Sequence, residues 1–292
     1  MLIPARTVKL TTRTDTDVRR TLFHASRKMI GPWCFIDHFG PSEQTEGMQV
    51  AAHPHIGLQT VTWLFSGEIE HRDSLGTVQA IRPGQLNLMK AGNGISHSEK
   101  SEANGQPLHF MQLWLALPEE SRNAVGGFEH LAALPRQDLG AGTLTVLAGN
   151  IMGSNAPTTI YSPLVAAEIQ FSIDGQVSFT VNPAFEHGVV LAQGVARING
   201  VELSPGDLSY FPTDSAEIAI HAGTNAILLV IGGEPFGEKI VMWWNFIART
   251  HDEIQEARAS WNARTERFGD FEDDLGPWIP APKMPNAILQ PR

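Results

Sequence analysis

Two residue pairs with the same spacing hold the side chains best suited to chemistry. In AAHPHIGLQT (51–60) His53 and His55 stand two positions apart, and in NGISHSEKSE (93–102) His97 and Glu99 repeat that spacing. Alternate side chains of an extended strand leave the same face, so each pair points one way. Three imidazoles and one carboxylate brought together by two neighbouring strands would form a compact cation site of three nitrogens and one oxygen. With no thiolate in the set, a cysteine-type zinc site is excluded, and magnesium or calcium would want oxygen throughout. What remains is a divalent first-row ion: Fe(II), Mn, Co, Ni, Cu or Zn. Six-coordination would leave two positions open, enough for a substrate and dioxygen together.

Other polar residues near these pairs have two readings each. His38 in FIDHFG, and His71 with Asp73 in EHRDS, would either orient the ligand imidazoles or serve as ordinary polar groups at turns. His109 sits on an apolar alternating run, LHFMQLWLALP, and either points inward or packs. Trp243 and Trp244 read as an anchor for the C-terminal segment, and the single cysteine, Cys34, as a small buried hydrophobe. A glycine-rich phosphate loop and a nucleophile elbow are both missing from the sequence.

The elements that must position the pairs read as short strands. Twenty-seven glycines and nineteen prolines divide the chain into runs such as LQTVTWLFSG, QLNLMKAG, AAEIQFSIDG and NAILLVIGG. Strands at roughly 8–12-residue spacing with turn signals between them indicate an all-β chain of barrels or sandwiches. A weak repeat, SGEIEHRDSLGTVQAIRPGQLNLM against QGVARINGVELSPGDLSYFP, aligns Pro83-Gly84 with Pro205-Gly206 and suggests a duplicated barrel. The polar, Gly/Pro-rich stretch 118–142 places the boundary, giving domains 1–130, with the metal site, and 131–292, with a helical and extended tail. One helix is expected in RTHDEIQEARASWNARTERFG, with Thr250 and Glu253 as a capping box and Gly269 as its C-terminal glycine.

The 292 residues are enough for two cores. The formal charge of −10, from 31 acidic and 21 basic residues, disfavours direct nucleic-acid binding, which needs Lys and Arg against phosphate. The basic run Arg6, Arg19, Arg20, Arg27 and Lys28 reads as a solvated face. One cysteine allows no intramolecular disulfide. With no apolar leader and no run near the ~18 apolar residues of a membrane span, a cytoplasmic protein without membrane partners is expected.

The run HPHIGLQTVTWLFSGEIEHRDSLG followed by RPGQLNLMKAGNGISHSE resembles the N-terminal cupin of the pirin family, as does GPWCFIDHFGP (31–41) ahead of it. The resemblance covers about residues 20–117 and extends more loosely to about 235. It implies an all-β bicupin: two antiparallel, jelly-roll-like β-barrels followed here by a short C-terminal helix. It also implies a metal in the N-terminal barrel, usually iron, whose ligands would be His53, His55, His97 and Glu99. The activity it implies is quercetin 2,3-dioxygenase-type cleavage of a flavonol by O2 with loss of carbon monoxide, Glu99 taking the 3-hydroxyl proton. The resemblance also implies a second role, since mammalian members are described as nuclear, iron-dependent coregulators of transcription. Beside it the site itself admits a non-enzymatic, iron-dependent redox sensor that binds a regulatory protein partner, and more weakly a cupin isomerase. Gln59 stands where general cupins place a ligating Glu that pirins do not use. The second barrel, with Thr180 and Asn182 near the equivalent positions and only isolated His187 and His221, is expected to be metal-free. The VMWWNFIARTHDEI ending differs from the vertebrate type, which weakens transfer of a coregulator role.

Overall fold

The structure, a computed structural model, describes all residues except 11–15, 43–46, 103–105 and 272. It is all-β apart from one helix and a single 3₁₀ turn among the described residues, and it forms two compact units. The first unit comprises Met1–Phe39, Met111–Leu113 and Leu131–Phe236; the second comprises Gly40–Phe110, Trp114–His130 and Gly237–Arg292. The chain passes between units at His130/Leu131, among other crossings. The two chain ends, however, lie in the opposite units from those that 1–130 and 131–292 assign. Leu2–Ile3 pairs with Leu208 and Ser209 in the first unit. The C-terminal segment meets the second through bonds such as Ile247 N–H to Ile56 O and Ile279 N–H to Ala52 O, contacts that composition along the chain does not record.

In the first unit a seven-stranded antiparallel sheet runs in the order Leu2–Ile3, Leu208–Phe211, Glu186–Gln193, Ile227–Gly233, Leu164–Phe171, Gly142–Ala148, Arg136–Asp138. A four-stranded sheet accompanies it, in the order Gly175–Thr180, Glu217–Ala222, Ala196–Ile198, Val201–Leu203. Alternate residues supply the core: Val165, Ala167, Ile169 and Phe171 from one strand, Ile218, Ile220 and Ala222 from another. This period-2 pattern is what the sequence runs announce. The N-terminal residues join as an edge strand, with Ile3 opposite Leu208 and fully buried, and Thr21 Oγ1 donates to the Gly206 carbonyl at 2.6 Å.

The basic run near the N-terminus is not a bare solvated face. Arg20 forms a bidentate pair with buried Asp37 at 2.7 Å, Arg27 pairs with Glu186 at 2.9 Å and stacks on Tyr210, and Lys28 lies over the Phe23 ring. Asp37 and Glu186 lie outside the run, so the run alone does not reveal these pairs.

In the second unit a four-stranded antiparallel sheet has the order Gln49–His55, Ile95–Lys100, Ile69–Asp73, Val78–Ile81. We call the first three the HxH, HxE and HxD strands after the residues they carry. Leu58–Ser66 pairs with Leu86–Lys90 in a further sheet, from Gln59 opposite Lys90 to Trp63 opposite Leu86. The two Pro-Gly turns of the sequence repeat share one geometry. Gly84 and Gly206 have φ of 83° and 97°, and hydrogen bonds Gln85 N–H to Arg82 O and Asp207 N–H to Ser204 O close the turns. That is the type II pattern, which favours Pro followed by Gly.

The C-terminal segment carries the helix, His251–Asn262, which buries Ile254, Ala257 and Trp261 on one face. Thr250 and Glu253 form the expected capping box. The helix stops earlier than expected, at Ala263, because Arg264 takes a left-handed φ of 53°; Gly269 instead ends the short 3₁₀ turn Glu266–Phe268. Trp261 stacks on Trp278 at 4.6 Å and donates to the Ile279 carbonyl at 2.8 Å. Ile279 N–H in turn donates to Ala52 O of the HxH strand, and Ser96 Oγ of the HxE strand donates to Phe268 O at 2.9 Å. The tail therefore holds both strands that bear the candidate ligands.

Candidate metal centre

The HxH and HxE strands pair antiparallel, with His97 opposite His53 and Ile95 opposite His55. The register then slips, so that Glu99 faces Val50 rather than Ala51. A bulge of this kind re-aims the side chains beyond it. On its other side the HxE strand pairs regularly with the HxD strand, His97 opposite Asp73 and Glu99 opposite His71. The consequence is two overlapping trios. His53, His55 and His97 each offer a nitrogen within 4.8 Å of the others, and His71, His97 and Glu99 form a second set within the same span. His97 is common to both trios, which His53 and His55 join on one hand and Glu99 with His71 on the other.

Hydrogen bonds fix two of the imidazoles. His53 Nδ1 lies 3.0 Å from the Ala51 carbonyl, and His55 Nδ1 lies 3.1 Å from the Asn245 carbonyl. A carbonyl only accepts, so each Nδ1 carries the proton and each Nε2 keeps its lone pair. Trp114 packs edge-on against His55, with centroids 5.2 Å apart. His97 Nε2 stands 3.1 Å from His55 Nε2. Two nitrogens held about 2.1 Å from one ion at a near right angle are about 3 Å apart, so this donor set suits a divalent first-row cation.

Burial governs the charge states. His53 is 8% exposed, His55 1%, His97 2% and Glu99 8%. Desolvation lowers the His53 pKa to about 4 and takes those of His55 and His97 well below the ordinary value, with neighbouring imidazoles adding to the effect. Neutral imidazoles are the ligating form. Burial raises the Glu99 carboxyl, and nearby His71 opposes the shift. A cation among these groups would restore the carboxylate.

The remaining sequence candidates separate cleanly. His71 and Asp73 do reach the site: His71 Nε2 bonds Asp73 Oδ2 at 3.0 Å, and His71 Nδ1 lies 3.3 Å from His97 Nδ1. His38 belongs to the first unit, where its Nδ1 accepts from Arg19 Nε at 3.2 Å. His109 is buried against Phe65, with ring centroids 4.6 Å apart, and joins neither trio. Trp243 and Trp244 pack on the cluster around Phe246 and Trp261. Sequence reasoning missed Asn245, whose carbonyl orients His55 from 190 positions away. It also missed Asp273, whose charge acts on His53 and whose Oδ2 is buried with no hydrogen-bond partner among the described residues. A backbone carbonyl leaves no residue-type signal, and Asp273 is one of several acids in a polar tail.

The sequence profile described as Pirin matches residues 12–115, and that described as Pirin C-terminal cupin domain matches residues 166–269. The chain belongs to the pirin family. This pirin is 42% identical over 273 residues to a Pseudomonas aeruginosa protein named as a candidate quercetin 2,3-dioxygenase, covering 93% of this chain and 87% of the relative. It is 35% identical over 279 residues to a pirin-like protein of Caulobacter vibrioides, covering 91% and 94%. The crystal structure of quercetin 2,3-dioxygenase from Acinetobacter baumannii matches 100% of this chain and 97% of its own at 39% identity, with a TM-score of 0.95. The nickel(II) complex of the pirin YhhW from Escherichia coli shares the fold, with a TM-score of 0.64 at 21% identity over 80% and 99%. The bicupin architecture expected from the sequence is the one present. No helix among the described residues is long and apolar enough to cross a membrane.

Proposed function

We propose that this pirin is a metal-dependent dioxygenase of the quercetin 2,3-dioxygenase type, with His53, His55, His97 and Glu99 holding one divalent cation, Fe(II) in the native protein. The reading is carried by the convergence of three buried imidazoles, two with their Nδ1 protons committed to carbonyls, beside a buried carboxylate. The likeness to the Acinetobacter baumannii enzyme supports the same reaction class.

When bound, the cation would supply Lewis-acid stabilisation of a substrate oxyanion and redox contact with dioxygen. The protein's own part is proton transfer and exclusion of water. Glu99, whose carboxyl burial makes more basic, would take the 3-hydroxyl proton of a flavonol as the carboxylate that a bound cation restores. The neutral imidazoles cannot compete for that proton near neutral pH, because burial holds them far below their ordinary pKa. Trp114 against His55 walls the site with apolar surface, where charge on the substrate oxygen is stabilised more strongly than in water. Both atoms of O2 then end in the cleaved product, with carbon 3 leaving as carbon monoxide.

The test is protein loaded separately with Fe(II), Ni(II), Co(II) or Mn(II) and supplied with quercetin in an oxygen-electrode cell. Dioxygen uptake matched by carbon monoxide release is expected, and His97→Ala should abolish both along with the bound metal. If no cation and no flavonol give turnover, the enzyme reading is withdrawn.

A further inference from the structure

One group of side chains beside the ligands forms a chain whose proton positions are determined from its far end. Asp73 is 1% exposed and His71 4%. Asp73 Oδ1 accepts from the backbone N–H groups of Leu75 at 2.9 Å and Thr77 at 3.1 Å, which closes the turn after the HxD strand. Its other oxygen, Oδ2, faces His71 Nε2 at 3.0 Å. A carboxylate with both oxygens so engaged only accepts, so His71 carries its proton on Nε2. In neutral His71 the Nδ1 lone pair is then exposed to His97 Nδ1 at 3.3 Å. Two ring nitrogens at that distance need one proton between them, and with His71 in its neutral form His97 supplies it. His97 is left with its Nε2 lone pair directed toward His55 Nε2, 3.1 Å away, whose own lone pair is fixed by the Asn245 carbonyl. Two lone pairs in that arrangement repel, and a cation held against both removes the repulsion.

We propose that Asp73 and His71 act as a tautomer relay that keeps the proton of His97 on Nδ1 and so reserves its Nε2 for the metal. They are positioning residues: neither need touch substrate or cation. The strand register delivers the relay, since His97 lies opposite Asp73 and Glu99 opposite His71, and the His71 ring is held by stacking on Phe128 at 4.7 Å. The inference rests on His97 being a metal ligand but not on the reaction the site performs.

Asp73→Asn tests it with almost no change of shape. The two backbone N–H groups of the turn require an oxygen, so the asparagine keeps its carbonyl on Leu75 and Thr77 and turns its amide N–H toward His71 Nε2. That reverses every donor in the chain: His71 Nε2 accepts, its Nδ1 carries the proton and donates to His97 Nδ1, and the His97 proton moves to Nε2. Long-range ¹H–¹⁵N correlation spectra of the cation-free protein read the tautomer directly. The expected result is His97 protonated on Nδ1 in the native chain and on Nε2 in Asp73→Asn, with Ni(II) affinity, measured by chelator competition, reduced about 10- to 100-fold. An unchanged His97 tautomer, or a Ni(II) affinity within about twofold of the native value, overturns the relay. So does lost affinity without a tautomer change, which would mark a structural role only. If Asp73→Asn does not fold, His71→Phe keeps a ring on Phe128 and removes both the acceptor facing His97 and the donor to Asp73. It should give a mixed His97 tautomer and a smaller affinity loss, and unchanged values for both would overturn the proposal. Neither measurement uses a flavonol or dioxygen, so an inert enzyme with an intact relay remains distinguishable from a failed relay.

Discussion

Glu99 and the three histidines differ in what burial does to them, and that difference sets what each substitution should change. The imidazoles are held neutral and ready to ligate, whereas the carboxyl is pushed toward its protonated form. Glu99→Gln keeps an oxygen donor of the same shape but removes the proton acceptor. It should retain some bound metal by elemental analysis while lowering flavonol turnover by about 10²- to 10⁴-fold, the usual contribution of a general base. His55→Ala removes a nitrogen that is both oriented by Asn245 and 3.1 Å from His97. Its expected outcome is metal-free protein after purification without chelators.

At the scale of elements, the site depends on a close approach between the end of the HxH strand and the C-terminal hairpin of Val241–Trp243 and Phe246–Ala248. Ile247 N–H donates to Ile56 O, and Gly57, with φ of 66°, leaves room for the Ile247 carbonyl. A Cβ at position 57 would lie 2.1 Å from that oxygen. Gly57→Ala should therefore lower stability by more than ~2 kcal/mol in urea unfolding, from the left-handed backbone plus the clash. It should also weaken metal binding, because the same hairpin carries Asn245. Loss of the helix cap is milder: Thr250→Ala removes the bond from Glu253 N–H and should cost about 1 kcal/mol, with metal content unchanged.

Across the whole molecule, the buried imidazoles make the cation-free protein acid-sensitive. His53 in one unit and His187 in the other both have their pKa lowered to about 4 by desolvation. The unfolded chain titrates near 6.5, so it binds more protons than the native state in between. Their contribution to stability is complete above about pH 6.5 and is lost as pH falls toward 4. For His53 alone the loss is on the order of 3 kcal/mol at full protonation. His55 and His97 act in the same direction, while the raised carboxyls of Glu99 and Asp37 act against it. Urea midpoints measured from pH 7.5 to 4.5 should fall steadily, and a midpoint that rises on acidification would contradict the balance.

Period-2 alternation, Pro-Gly turns and the paired His-x-His and His-x-Glu spacings determine locally which residues share a strand face. For that reason the bicupin class and the capping box at Thr250 were legible in the chain itself, as were the paired spacings that put His53, His55, His97 and Glu99 forward as candidates. Tertiary structure decided the rest. It placed the terminal segments in the units opposite to their position in sequence, slipped the register between His97 and Glu99, and brought Asn245 and Asp73 to the imidazoles they orient. These outcomes depend on pairing between residues far apart, and on backbone carbonyls that every residue possesses. A one-dimensional pattern of side-chain types carries neither.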